Sequence, residues 1–246
     1  MAPPFMNTTF MISELIFTIL VVFFCFLIYF KTRESYILTK HKGLGYFRAA
    51  FLFFGLSYVL RFILGAVMLS GFVFNLGFIG GMSSQIFIVP LFIIPLSYFS
   101  TVAIVYLLYS SMWKKINTKW VLIMGHVVAI LLSFVAFATR SQILLVGLQA
   151  LLLVIAAIAA LVMNKDKNKD KNKKQALNKI NSRSNKQLNK SSNMKFIYFL
   201  VSSLWLFNLL VLETRMHFPW EIKMACQLVS VLIFSLIYVR LYKWIK

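Results

Sequence analysis

From Ile16 to Phe30 the chain reads IFTILVVFFCFLIYF, with Thr18 its one non-hydrophobic residue, and runs of similar texture recur along most of the sequence. Such a run constrains the fold more than any motif does. About twenty apolar residues, rising roughly 1.5 Å each along a helix, match the ~30 Å hydrocarbon thickness of a bilayer. Lipid supplies no water to bond backbone amides, so each run must close its own hydrogen bonds as a helix. The runs predict seven helices, near residues 8–30, 46–69, 80–109, 120–138, 142–163, 196–213 and 220–241. The expected fold is an all-α integral membrane protein, a seven-transmembrane helix bundle forming one membrane domain over residues 1–246.

Composition supports the bilayer as the solvent. Hydrophobic residues make up 61% of the chain and charged residues 13%, and the mean hydropathy is +0.83; these values lie beyond the soluble globular range. The net charge of +20 does not point to nucleic acid, because the cations are bunched between the apolar runs rather than spread over a hydrated surface. Lys31, Arg33, Lys40, Lys42 and Arg48 follow the first run, Lys114, Lys115 and Lys119 the third, and Arg240, Lys243 and Lys246 the last. The alternate connections are nearly bare, holding only Arg140 at 139–141 and Arg215 at 214–219. Positive charge stays on the cytoplasmic side, which predicts an outside N-terminus, a cytoplasmic C-terminus and a multi-pass place in the cell membrane.

The same rule accounts for NKDKNKDKNKKQ, which opens a Lys/Asn-rich segment at 164–195 holding eleven Lys and Arg against two Asp. Its position after five helices puts it in the cytoplasm, and its low hydrophobicity predicts a disordered loop. It can serve as a solvated topogenic loop, or as a clamp for anionic lipid or an acidic cytoplasmic protein. The sequon Asn7-Thr8-Thr9 lies on the expected outside, but Asn189-Lys190-Ser191 fits the same pattern in the cytoplasmic loop, so the motif discriminates nothing. The N-terminus lacks the basic n-region of a secretory signal, and the first run reads as a retained helix. Cys25 and Cys226 fall at depths too different for a disulfide and read as free thiols.

Polar groups inside the apolar runs are the candidate functional residues, since they are costly in lipid. Arg61 is the deepest cation. Glu14, Gln85, Gln149, Asn208 and Gln227 fall at comparable depths in five other helices. If the six converge they line a polar pocket open to the outside. If they do not, a Glu14–Arg61 ion pair and interhelical hydrogen bonds act as packing glue, at about 0.5–2 kcal/mol each. In the third helix Pro90 and Pro95 each remove a backbone hydrogen bond, which predicts a kink and a candidate hinge.

Other chemistry finds little footing. Glu213, His217 and Glu221 recur every four residues, but Pro219 spoils that geometry for a metal. His41 and His126 show no ligand partner and read as solvated or hydrogen-bonded. Asp166 and Asp170 both lie in the cytoplasmic loop, which excludes an intramembrane aspartyl protease; no HExxH motif or phosphate-cradling glycine loop occurs. Lys223 sits at the outer mouth of the last helix, leaving no buried amine for a retinal Schiff base. The reading is not an enzyme, with no cofactor and no metal. Comparison of the first three helices with the last three argues against an internal repeat, because neither Arg61 nor the paired prolines has a counterpart.

KHKGLGYFRAAFLFFGLSYVLRF at 40–62 and the Tyr/Lys/Trp-rich end RLYKWIK resemble uncharacterised archaeal multi-pass membrane proteins. More distantly, seven spans with an outside N-terminus are similar in topology to the membrane sensor segment of membrane histidine kinases. The shared depth of the six polar groups makes the expected function a receptor- or sensor-like module that binds a small ligand from outside, with Arg61 as the anchoring cation and Glu14, Gln85, Gln149, Asn208 and Gln227 orienting it. The chain ends about five residues after the last helix, so its output would pass through a separate partner or the basic loop. The alternatives are a transporter or facilitator using the same polar layer, and a structural subunit docking a partner through the loop.

Overall fold

The computed structural model describes residues 8–73, 82–112, 119–139, 144, 146–155, 158, 197, 200–205, 208 and 220–245. Among the described residues all regular structure is helical, in seven elements: α1 (Thr8–Thr39), α2 (Lys42–Val73), α3 (Met82–Met112), α4 (Lys119–Thr139), α5 (Val146–Ile155), α6 (200–205) and α7 (Trp220–Ile245). Five of them, α1 to α4 and α7, hold stretches long and apolar enough to cross a membrane. The spans expected at 142–163 and 196–213 are described only in part, as α5 and α6, and the 164–195 loop lies outside the described residues.

Hydroxyl side chains within these helices fold back onto their own backbone. Thr18 donates to Glu14 O at 2.7 Å, Thr32 to Ile28 O at 2.7 Å and Ser133 to Ala129 O at 2.7 Å. A polar side chain in an apolar run thereby finds its acceptor without leaving the helix.

The stretch 31–48, expected as a connection, is instead almost entirely helical. Bilayer thickness limits the apolar run but not the helix, and α1 continues through Lys31 and Arg33 to Thr39. The reversal takes two residues. Lys40 adopts the left-handed conformation, φ 45°, and its amide closes on Tyr36 O at 2.7 Å; His41 O then accepts from Leu44 N at 3.0 Å and Gly45 N at 3.2 Å to start α2. A left-handed residue at a helix end redirects the chain while satisfying the last carbonyls.

Beyond the turn, α1 and α2 pack as an antiparallel hairpin whose contacts step in opposite directions: Tyr36 with Gly45, Cys25 with Gly55, Leu15 with Gly65. A Cβ at Gly55 would stand 3.1 Å from Cys25 Cβ, so the missing side chain sets how closely the helices approach. Cys25 is buried in this seam and Cys226 partly buried, both as free thiols.

Around the hairpin, α2 also packs against α3, α3 against α4, and α7 against α1. α2 lies at the centre: Phe51 and Phe54 meet Trp205 of α6 at centroid distances of 6.2 and 4.8 Å, and Phe54 meets Phe234 of α7 at 6.2 Å. α3 is the most enclosed span, with 56% of its apolar window buried against 22% in α4 and in α7. The last two therefore present broad apolar faces outward, as lipid-facing helices do. The helix is continuous through Pro90 and Pro95, the two positions at which the sequence predicts a kink; the Pro90 side chain lies outside the described residues.

At the α3–α4 seam Gly125 faces Val105 and Tyr109, where a Cβ would fall 2.7 Å from Val105 Cγ1 and 2.5 Å from the Tyr109 hydroxyl. Gly125→Ala is expected to push the helices apart and cost about 1–3 kcal/mol, the range for overpacking. A detergent unfolding titration will show it as a lowered midpoint.

Candidate functional site

The structure brings Glu14 and Arg61 together. Arg61 Nη2 donates to Glu14 Oε1 at 2.5 Å, joining α1 to α2, and the guanidinium carbon lies 5.9 Å from the Tyr58 ring centroid. Gly65, one turn further along α2, lets Leu15 close in beside the pair. Their charges are mutually compensated, yet the side chains keep 22% and 34% of their exposure. The pair is neither sealed in the core nor free on the surface.

The amides behave differently. Gln149 of α5 is fully buried and donates through Nε2 to Ser100 Oγ at 2.7 Å and Thr101 Oγ1 at 2.9 Å, both on α3. Asn208, also buried, donates to Leu204 O at 2.9 Å and accepts from Ser230 Oγ of α7 at 3.2 Å. Gln227 is buried on α7, three residues before Ser230. Gln85 has a side chain outside the described residues. Of the six residues singled out in the sequence, then, two form an ion pair, while Gln149 and Asn208 each tie a different pair of helices. The contacts of these groups are made in separate places. Two buried polar atoms in this interior, Gln149 Oε1 and Trp205 Nε1, have no hydrogen-bond partner among the described residues.

Sequence reasoning missed a second polar centre. His126 of α4 is held through both ring nitrogens by tyrosines of α3: Tyr98 Oη lies 2.9 Å from Nδ1 and Tyr106 Oη 3.1 Å from Nε2. A phenol hydroxyl can both donate and accept, so each tyrosine can serve either kind of ring nitrogen. The Phe53 ring stands nearly perpendicular to the imidazole at 6.2 Å, and Tyr109 extends the same seam by donating to Val121 O at 2.5 Å. Next to Tyr98, an apolar groove of about 320 Å³ is lined by Ile94, Pro95, Tyr98, Ile130, Ser133 and Phe134. A histidine midway along an apolar helix signalled that partners must exist. Which tyrosines they are depends on the packing of α3 against α4, which no local pattern encodes.

Glu213 and His217 lie outside the described residues, so the triplet with Glu221 has no described geometry; among the described residues no three His, Cys, Asp or Glu gather as metal ligands. His41 is exposed at the α1–α2 turn.

Two mutational tests follow from this geometry. Arg61→Met alone is expected to cost about 1–2 kcal/mol, discounted from the fully buried case for the pair's partial exposure. Adding Glu14→Gln should recover part of that loss in the same unfolding assay, because the stranded carboxylate is gone. At the histidine, Tyr98→Phe and Tyr106→Phe should each cost about 0.5–1.5 kcal/mol. In a His126→Phe background both substitutions should become nearly neutral, a coupling read by double-mutant cycle.

No family model matches the chain, and no solved structure matches it. It is 33% identical over 105 residues to a protein of Archaeoglobus fulgidus described as "Uncharacterized protein". The match covers 43% of this chain and 45% of the relative, so the chain spans less than half the length of the protein it matches. The archaeal likeness read from the sequence thus has a counterpart, whereas the likeness to histidine-kinase sensor segments finds none. Five helices long and apolar enough to cross a membrane support a multi-pass helical membrane protein.

Proposed function

We propose that the chain is a receptor-like seven-helix protein of the cell membrane, N-terminus outside and C-terminus cytoplasmic, that binds a small ligand from the outer side at the Glu14–Arg61 pair. The observation that carries this reading is a contrast in exposure. Gln149, Asn208 and Gln227 are 0–6% exposed, as packing groups should be, while the one ion pair described between membrane helices keeps 22% and 34% of its exposure. Pure glue gains from being sealed, because solvent weakens the attraction. An accessible pair can exchange partners: a ligand carboxylate can replace Glu14 on Arg61 while a ligand amine takes Glu14. The ligand class is therefore a small acid or zwitterion. The charge partition among the connections supports the orientation, and the α3 segment with Pro90 and Pro95, packed against α2, is where occupancy would pass toward 110–119 and 164–195.

The test is a thermal-shift screen of the purified protein in detergent against small acids, zwitterions and ions, with Arg61→Met alongside. A ligand at about 100 times its dissociation constant adds roughly 2.7 kcal/mol. The expected result is a shift in the wild type that Arg61→Met abolishes, without uptake of that ligand into proteoliposomes; uptake would assign the site to a transporter. If no acid or zwitterion shifts the wild type, the pair is packing glue and the chain a structural subunit.

A further inference from the structure

Independently of the ligand reading, the opposite end of the α1–α2 hairpin carries a second site. From Ile12 to Phe30 the apolar part of α1 covers about 28 Å, the thickness of the hydrocarbon layer. The nine residues that follow, Lys31–Thr39, therefore stand in the headgroup layer. Tyr29, Arg33, Tyr36 and Lys40 recur there at i, i+4, i+7 and i+11, along one side of the chain. Arg48 of α2 lies over that stripe. Its guanidinium carbon is 4.6 Å from the Tyr29 ring centroid and 5.2 Å from that of Tyr36, and Nε donates to Tyr29 O at 3.4 Å.

Arg48 is thus half-buried and fixed by two aromatic faces and a backbone carbonyl, and no carboxylate pairs with it among the described residues. Glu14 is taken by Arg61 and Glu34 by Lys31, the latter at 3.7 Å. Lys31 also leans over the Tyr242 ring of α7 at 5.1 Å, away from this stripe. Arg33, Lys40, His41 and Lys42 are exposed around the turn. A guanidinium is costly to shield without an anion, and its planar fork suits two oxygens of one phosphate. Tyrosines beside cations at this depth are the usual furniture of a membrane interface.

We propose that Arg48, Arg33 and Lys40 form a binding site for the phosphate of an anionic lipid headgroup, with Tyr29 and Tyr36 as its walls. Nε and the ring faces fix the guanidinium on the protein side, leaving Nη1 and Nη2 for the phosphate, and the two exposed cations close over it. The site lies within the described α1–α2 hairpin and draws on no residue of the Lys-rich 164–195 segment.

Full-length protein is reconstituted in nanodiscs of phosphatidylcholine, with or without phosphatidylglycerol, and retained lipids are counted by native mass spectrometry beside the thermal midpoint. The wild type should retain phosphatidylglycerol in preference to phosphatidylcholine and melt higher when it is present. Arg33→Gln with Lys40→Gln, both at exposed positions, should weaken retention about fivefold per charge removed. Arg48→Lys, which keeps the charge but not the fork, should weaken it as well. Equal retention of the two lipids, or unchanged preference in the Arg33/Lys40 variant, overturns the proposal. So does an equal midpoint rise with inorganic phosphate in phosphatidylcholine alone, which would assign the site to a free anion.

Discussion

Inside a bilayer a polar group finds a partner within the protein or finds none, and this absence of water organises the molecule. The backbone meets the requirement by coiling into helices, and threonine and serine meet it by donating to the preceding turn, as Thr18, Thr32 and Ser133 do. Longer polar side chains are not fully satisfied locally. They reach a neighbouring helix and become the points at which helices are joined: Gln149 ties α5 to α3, Asn208 ties α6 to α7, and His126 ties α4 to α3. Apolar contact offers little preference for one helix over another when lipid tails are equally apolar. Polar contacts and close-approach glycines therefore supply the specificity of pairing.

α3 shows how one helix holds two neighbours at once. With 3.6 residues per turn, Ser97, Ser100 and Thr101 fall roughly a third of a turn from the stripe of Tyr98, Val105 and Tyr109. The hydroxyl side receives Gln149 and the tyrosine side receives α4, with Tyr106 reaching the far nitrogen of His126. A single all-apolar face could do neither. This division explains why α3 is the most enclosed span while α4 and α7 turn large aliphatic side chains outward.

The helical class and the approximate places of the long spans were legible because each rests on a local run of residues. The length of α1 was not, since apolarity reports where hydrocarbon ends and says nothing of where a helix ends; Lys31 to Thr39 remain helical because nothing there breaks the helix before Lys40. The Glu14–Arg61 pair was foreseen as one of two possibilities, because opposite charges in adjacent helices have few other partners in lipid. The separation of Gln149 from Asn208 was hidden. Depth along a helix can be counted from residue numbers, but the direction a side chain faces in the bundle depends on rotation about each axis. The His126 centre was hidden for the same reason, its two tyrosines lying 28 and 20 residues away along the chain.

The charged groups of the hairpin sort by a different logic from the amides. A buried amide is stabilised by the hydrogen bonds it finds, as Gln149 Nε2 does on Ser100 and Thr101 and Asn208 on Leu204 and Ser230. A charge gains only if its counter-charge is sealed with it, and the two arginines of α2 solve this at opposite ends of the same helix. Arg61 carries its anion within the chain, so the protein is complete without a ligand there, and anything that binds must compete with Glu14. Arg48 has none among the described residues, and the rings of Tyr29 and Tyr36 hold its guanidinium without neutralising it. The ligand reading of the first therefore demands displacement of an existing bond, whereas the lipid reading of the second demands only the supply of a missing charge. Under the two proposals, binding at Arg48 therefore depends on the composition of the surrounding membrane, whereas binding at Arg61 does not.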